Sequence, residues 1–270
     1  MTYVSHLMRR ASALALLLSA LSAQAAGLPD TGITACYNDT VTDGYPATDS
    51  VNSIARDGGS HPRQDCRFGR DPAMEAAAPK VGAGPKGFDY TKIANDGSAL
   101  DATVALGPNP TDWACTQDNI TGLMWEVKTN SGLRSQTYTY TWYNSVTTTN
   151  GGNAGTVGAG STCATAGRCD TEQFVVDVNA LTGANRLCAA TDWRLPTLRE
   201  LLTLALLDDT NLTSIDAGYF PYTMRSFYWT ASSSVPFPTN AWLVDFFGGS
   251  SLTSQKSGYN YVRLVRGGQF

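Results

Sequence analysis

The densest grouping of reactive side chains is TDWRLPTLREL, residues 191 to 201, where Asp192, Arg194 and Glu200 could form a reaction centre. The same residues also suit a simpler task. Thr197 and Glu200 have the spacing of a capping box, in which hydroxyl and carboxylate each accept from a backbone amide at a helix start. Pro196 imposes an extended approach on the residue before it, and Leu198, Leu201, Leu202 and Ala205 supply the apolar stripe of the helix that follows. A capped helix with an ion pair accounts for these residue types, so no catalytic residue is assigned.

Other constellations are sparser. LLDDTNLTSID places Asp208, Asp209, Asn211 and Asp216 close together, and their hard oxygens could hold calcium, the one cofactor the sequence suggests. The spacing matches no defined calcium loop, and a solvated turn explains it equally. Of two histidines, His6 precedes Ala25 and His61 lies in a Gly- and Pro-rich stretch, which argues against histidine triads and multi-histidine zinc sites. TASSS lacks the nucleophile-elbow glycines, and a hydrolase using a carboxylate pair ranks as a third reading.

Recognition by aromatic and basic side chains is the stronger lead. The loop GGSSLTSQKSGYN and the run YVRLVRGG bring Lys256, Tyr259, Tyr261 and Arg263 together in sequence, a mixture that suits a ligand-binding patch. Alternation along an extended YVRLVRGG puts Tyr261 and Arg263 on one face and Arg266 on the other. Arg266 is therefore expected to anchor the chain end through a carboxylate or carbonyl. Tyr222, Tyr259 and Tyr261 are expected at the surface, and Trp125, Trp193, Trp229 and Trp242 in the core.

Elements to position these groups can be read along the chain. Arg9 and Arg10, an apolar stretch and Ala23-Gln24-Ala25 read as a secretory signal peptide over residues 1–25, and no later run is long enough to span a membrane. Losing the leader removes two arginines and no acid, so the formal charge of −4 becomes more negative, which disfavours nucleic acid. Six cysteines in an exported chain predict complete pairing; among fifteen connectivities the reading adopted is Cys36 with Cys66, Cys163 with Cys169, and Cys115 with Cys188, the last partly by elimination.

Residues 26–110 read as a Gly-, Pro- and Asp-rich extension with short strands, and 111–270 as the main domain. Within the latter, GLMWEVKT alternates as a half-buried strand with Leu123, Trp125 and Val127 inward. DTEQFVVDVNALTG reads as a helix capped by Asp170 and ended by Gly183. SFYWTASS, NAWLVDFF and NYVRLVRGG read as strands.

The ordered set DNITGLMWEVKT, TYTWYN, CDTEQFVVDVNAL, DWRLPTLREL, YFPYT, FYWTASS, AWLVDF and YVRLVRGGQ resembles the bacterial Lcl C-terminal domain family, over roughly Trp113 to Phe270. LPDTGITACYND is similar to the lead-in that often precedes that domain. RLPT and VRLVRGG are further similar to elements of formylglycine-generating-enzyme-like domains, though paired cysteines would not support that chemistry. The resemblance implies an α+β, C-type-lectin-like fold: a twisted antiparallel sheet with two helices and long loops, stabilised by disulfides. It also implies an adhesin-like role, since the namesake adhesin's domain is associated with binding sulfated glycans.

The expected function is thus a secreted or surface-exposed, non-catalytic binding module for a glycan or a cell-surface protein, in the periplasm, at the cell surface or outside the cell. The alternative is a structural or assembly component of a surface appendage, and a homo-oligomer fits either role.

Overall fold

Apolar residues in AWLVDF and in YTKIA fall on both faces of their strands, so each must be covered from two sides. The computed structural model describes residues 37–42, 45–48, 80–85, 87–207 and 214–268. The leader expected over residues 1–25 lies outside them, as do Cys36 and Cys66.

Strands β1 (Tyr37–Thr42) and β2 (Tyr45–Thr48) form an antiparallel hairpin. The main body holds β3 (Tyr90–Ala94), β4 (Ala99–Leu100), β5 (Trp113–Asp118), β6 (Met124–Glu126), β7 (Phe227–Ser233), β8 (Asn240–Asp245), β9 (Ser251–Gln255) and β10 (Val265–Arg266). A five-stranded sheet runs in the order β10-β6-β5-β3-β4 and a three-stranded sheet in the order β7-β8-β9, every strand pair antiparallel. Among the described residues two helices, α1 (Thr171–Asn179) and α2 (Leu198–Leu202), complete an α+β fold. Among the described residues, no helix is long and apolar enough to cross a membrane.

The change of composition near Trp113 is not a structural boundary. Lys92 pairs with Thr116 and Ile93 with Cys115, so β3 and β4 belong to the same sheet as β5. Buried Phe88, Tyr90 and Ile93 extend the core across residue 110.

Two apolar clusters fill the interior. One gathers Trp142, Phe174, Val178, Trp193, Trp229 and Leu243. The other gathers Tyr90, Trp125, Leu201, Phe220, Tyr228 and Phe246. Trp125, Trp193 and Trp229 are buried as expected, whereas Trp242 is only half-buried. Disulfides Cys115–Cys188 and Cys163–Cys169 have formed. The first ties the five-stranded sheet to the turn before Trp193, and the second closes a seven-residue span in the long loop ahead of α1.

Helix α1 begins as read, with an Asp170 carboxylate oxygen accepting from Gln173 N. It ends sooner than Gly183, at Ala180, and Gly183 instead starts a 3-10 turn with φ +57°. GLMWEVKT is buried on both faces, not half-buried: Glu126 and Lys128 are inside along with Leu123, Trp125 and Val127. YVRLVRGG is not a continuous strand. Tyr261 bridges to Tyr228 of the small sheet and Val265 pairs with Trp125 of the large one, so the intervening residues cross between sheets.

Candidate functional site

The crossing of Tyr261 to Val265 decides where the expected ligand residues go. Arg263 falls at the junction and is 0% exposed. Its guanidinium donates from Nη1 to Glu126 O at 2.6 Å and from Nη2 to Thr223 Oγ1 at 2.6 Å, and it stands 5.1 Å from the Phe220 ring centre. Lys256 is 2% exposed; Nζ donates to Asn150 O at 2.9 Å and Asn153 O at 2.6 Å. Burial holds its pKa below the usual lysine value.

The expectation that Lys256 and Arg263 join the tyrosines in an exposed patch therefore does not hold. Both cations satisfy backbone carbonyls inside the protein, where water cannot. Tyr259 is 48% exposed, but Tyr261 is half-buried and packs on Tyr228 at 5.5 Å. Alternation failed here because no regular strand runs from Tyr261 to Leu264.

Of the suggested calcium ligands, Asp208, Asp209 and Asn211 lie outside the described residues. Asp216 is described: Oδ1 accepts from Gly218 N at 2.9 Å, Oδ2 is buried without a hydrogen-bond partner, and burial raises its pKa. Among the described residues no three His, Cys, Asp or Glu side chains converge as a metal site would require.

TDWRLPTLREL forms the cap that its spacing predicts. Thr197 Oγ1 accepts from Glu200 N, and Glu200 Oε2 accepts from Thr197 N at 2.7 Å. Arg194 grips Glu200 with two bonds, of 2.8 and 2.7 Å, and reaches Gly267 O and Gly268 O with the same Nη2. Arg266 pairs with Asp192 at 2.6 Å, anchoring the chain end as expected. These contacts engage the carboxylates of Asp192 and Glu200 and fasten the C-terminal residues to the helix start.

A different group of residues makes a concave surface. A cleft of about 480 Å3 is lined by Leu106, Trp113, Asn130, Ser131, Arg134 and Tyr222, among others. On one wall, Arg134 Nη1 donates to Val127 O at 2.6 Å, and Gly132, at φ +74°, lets the chain turn through Asn130 and Ser131. Buried Trp113 also lines the cleft.

The lining also includes Tyr222, 41% exposed, at φ +57°. A tyrosine in this left-handed region is strained, so its neighbours must hold it there. They do: Thr223 Oγ1 donates to Phe220 O at 2.7 Å while accepting from buried Arg263. Arg263 thus contributes to the cleft indirectly, by fixing the residue next to Tyr222. Tyr222 was legible as an exposed tyrosine beside turn residues; Asn130, Ser131 and Arg134 gave no comparable signal.

The family model described as the Lcl C-terminal domain matches residues 114–266. No curated protein and no solved structure matches the chain.

Proposed function

The chain belongs to the Lcl C-terminal domain family, and from that premise we propose a non-catalytic binding module with a C-type-lectin-like arrangement. It is exported to the periplasm, cell surface or exterior, where it recognises a glycan or a cell-surface protein in an adhesin-like role. Paired cysteines in the described residues suit an oxidising compartment.

One observation carries the reading: Tyr222 is held at a positive φ in the wall of the 480 Å3 cleft. Strain of this kind persists where surrounding structure enforces it and gathers at ligand sites. An aromatic face beside the polar Asn130–Ser131 turn suits a sugar ring, whose C–H face stacks while its hydroxyls hydrogen-bond. A glycan array probed with the mature full chain tests it. Binding that falls about tenfold or more in Tyr222→Ala, with melting preserved, would support the cleft. Equal binding by both proteins would remove it, and turnover of a bound sugar would replace the module with a hydrolase.

The appendage-component reading has one feature in its favour, the edge of β9, which no strand pairs among the described residues.

A further inference from the structure

The three-stranded sheet ends on β9, whose pairing partner is β8. The register sets Asn240 opposite Gln255 and Val244 opposite Ser251, with Lys256 N donating to Thr239 O and Asp245 N donating to Ser250 O beyond its ends. Bonded pairs alternate along an antiparallel ladder, so the backbone groups of Ser251, Thr253 and Gln255 point away from β8. On that side, among the described residues, Gln255 O accepts from Gly258 N and no partner is found for the other groups. Ser251, Leu252 and Gln255 are exposed.

The other edges of the two larger sheets are closed or short among the described residues. The outer side of β7 exchanges bonds with Tyr261, through Trp229 N to Tyr261 O and Tyr261 N to Phe227 O. The outer side of β10 exchanges bonds with Arg194 in the same way, and β4 has two residues. Exposed edges are ordinarily blunted by a lysine, a proline or a bulge. SLTSQ contains neither residue, and its pairing with β8 runs in register from end to end.

We propose that β9 is a self-association edge on which a second copy of this chain pairs antiparallel, about a two-fold axis at Thr253, to give a continuous six-stranded sheet. A second copy brings an edge of equal length with the same open backbone groups. The pairing sets Thr253 against itself, Ser251 against Gln255 and Leu252 against Ser254. Every facing pair is uncharged, so copies that share a net negative charge place no like charges opposite each other in the paired strands. Isologous contacts of this kind close as dimers. No residue named in the cleft belongs to β9, so dimerisation and ligand binding can fail independently.

Sedimentation of the mature chain over a wide concentration range should show a monomer–dimer equilibrium. Thr253→Pro deletes an outward N–H that β8 does not use, and should weaken the dimer about tenfold while the monomer's melting curve is retained. Thr253→Cys should cross-link spontaneously, because bonded antiparallel partners have Cα atoms about 5.5 Å apart, within disulfide reach. Leu252→Cys should not, because it faces Ser254. A chain that is monomeric throughout overturns the proposal. So does a dimer that ignores Thr253→Pro and gives no Thr253→Cys cross-link. A monomer that Thr253→Pro destabilises also does so, by showing that a segment of the same chain covers the edge.

Discussion

The Lys256 ammonium stands 4.1 Å from the centre of the Trp142 ring, and from that position it holds two carbonyls of the loop between Asn150 and Asn153. A side chain whose type suggests an anion site is a fastener between β9 and the loop. Lys256→Met keeps the stem and loses both charge-assisted bonds, so it should cost about 1.5 to 3 kcal/mol in urea denaturation. Glycan affinity of the folded variant should change little and show no altered salt dependence. Unchanged stability would contradict the fastening role.

Glu126 and Lys128 form a 3.0 Å ion pair with both side chains buried, and Glu126 Oε2 also accepts from Leu264 N at 2.9 Å. Burial depresses the Lys128 pKa, with Glu126 opposing that shift. Lys128→Met should destabilise by about 3 to 5 kcal/mol, because it strands a buried carboxylate. Adding Glu126→Gln removes the charge and leaves an oxygen for Leu264 N, so the double variant should recover much of the loss. A double-mutant cycle with no coupling would show that the two residues act separately.

The sequence made some of this plain and hid the rest for physical reasons. Thr197, Glu200 and Asp170 were legible because caps depend on neighbours within three residues. Cys163–Cys169 was legible for the same local reason. Lys128, Lys256 and Arg263 read as surface cations because residue type favours exposure, yet their partners are fixed by tertiary placement; Arg263 meets Glu126 across 137 positions. Strand β9 read as a flexible loop because Ser and Thr dominate it; its pairing comes from β8 and not from its own pattern. The cleft joins Leu106, Arg134 and Tyr222 from three separate loops, which no local motif announces.

Glu200 predicts an acid dependence of stability. Burial works to raise its pKa, but bonds from Arg194 and the Thr197 amide outweigh that and hold it below the ordinary value of 4.5. A depressed folded-state pKa gives stability that is present above the unfolded value and lost as pH falls through the folded one. Stability should therefore decline below about pH 4.5, and more shallowly in Glu200→Gln. Asp216, whose pKa burial raises, acts in the opposite sense, with stability lost as pH rises through its folded value. Parallel denaturation profiles for wild type and Glu200→Gln would exclude the contribution of Glu200. At neutral pH, Thr197→Ala should cost about 0.5 to 2 kcal/mol through the same cap, with ligand affinity retained.

The link from Arg263 to Tyr222 gives the sharpest separation between a cation that binds and one that positions. Arg263 spans Glu126 O and Thr223 Oγ1 with two nitrogens of one planar group, a reach that a single lysine ammonium cannot duplicate. Thr223→Val replaces the hydroxyl with a methyl, releasing both the Arg263 bond and the 2.7 Å bond to Phe220 O. The strained backbone at Tyr222 then loses the contact beside it, and the ring should leave its place in the cleft wall. Thr223→Val should therefore weaken glycan binding several-fold at a stability cost of about 1 to 3 kcal/mol. The loss should be equal at low and high salt, because no charge is presented to the ligand. An exposed cationic site would behave otherwise: its contribution would shrink as salt screened it. Titrations of Thr223→Val and Arg263→Lys at two ionic strengths separate the cases. A binding defect that fades with salt in Arg263→Lys would return Arg263 to the ligand and take the positioning role away from it.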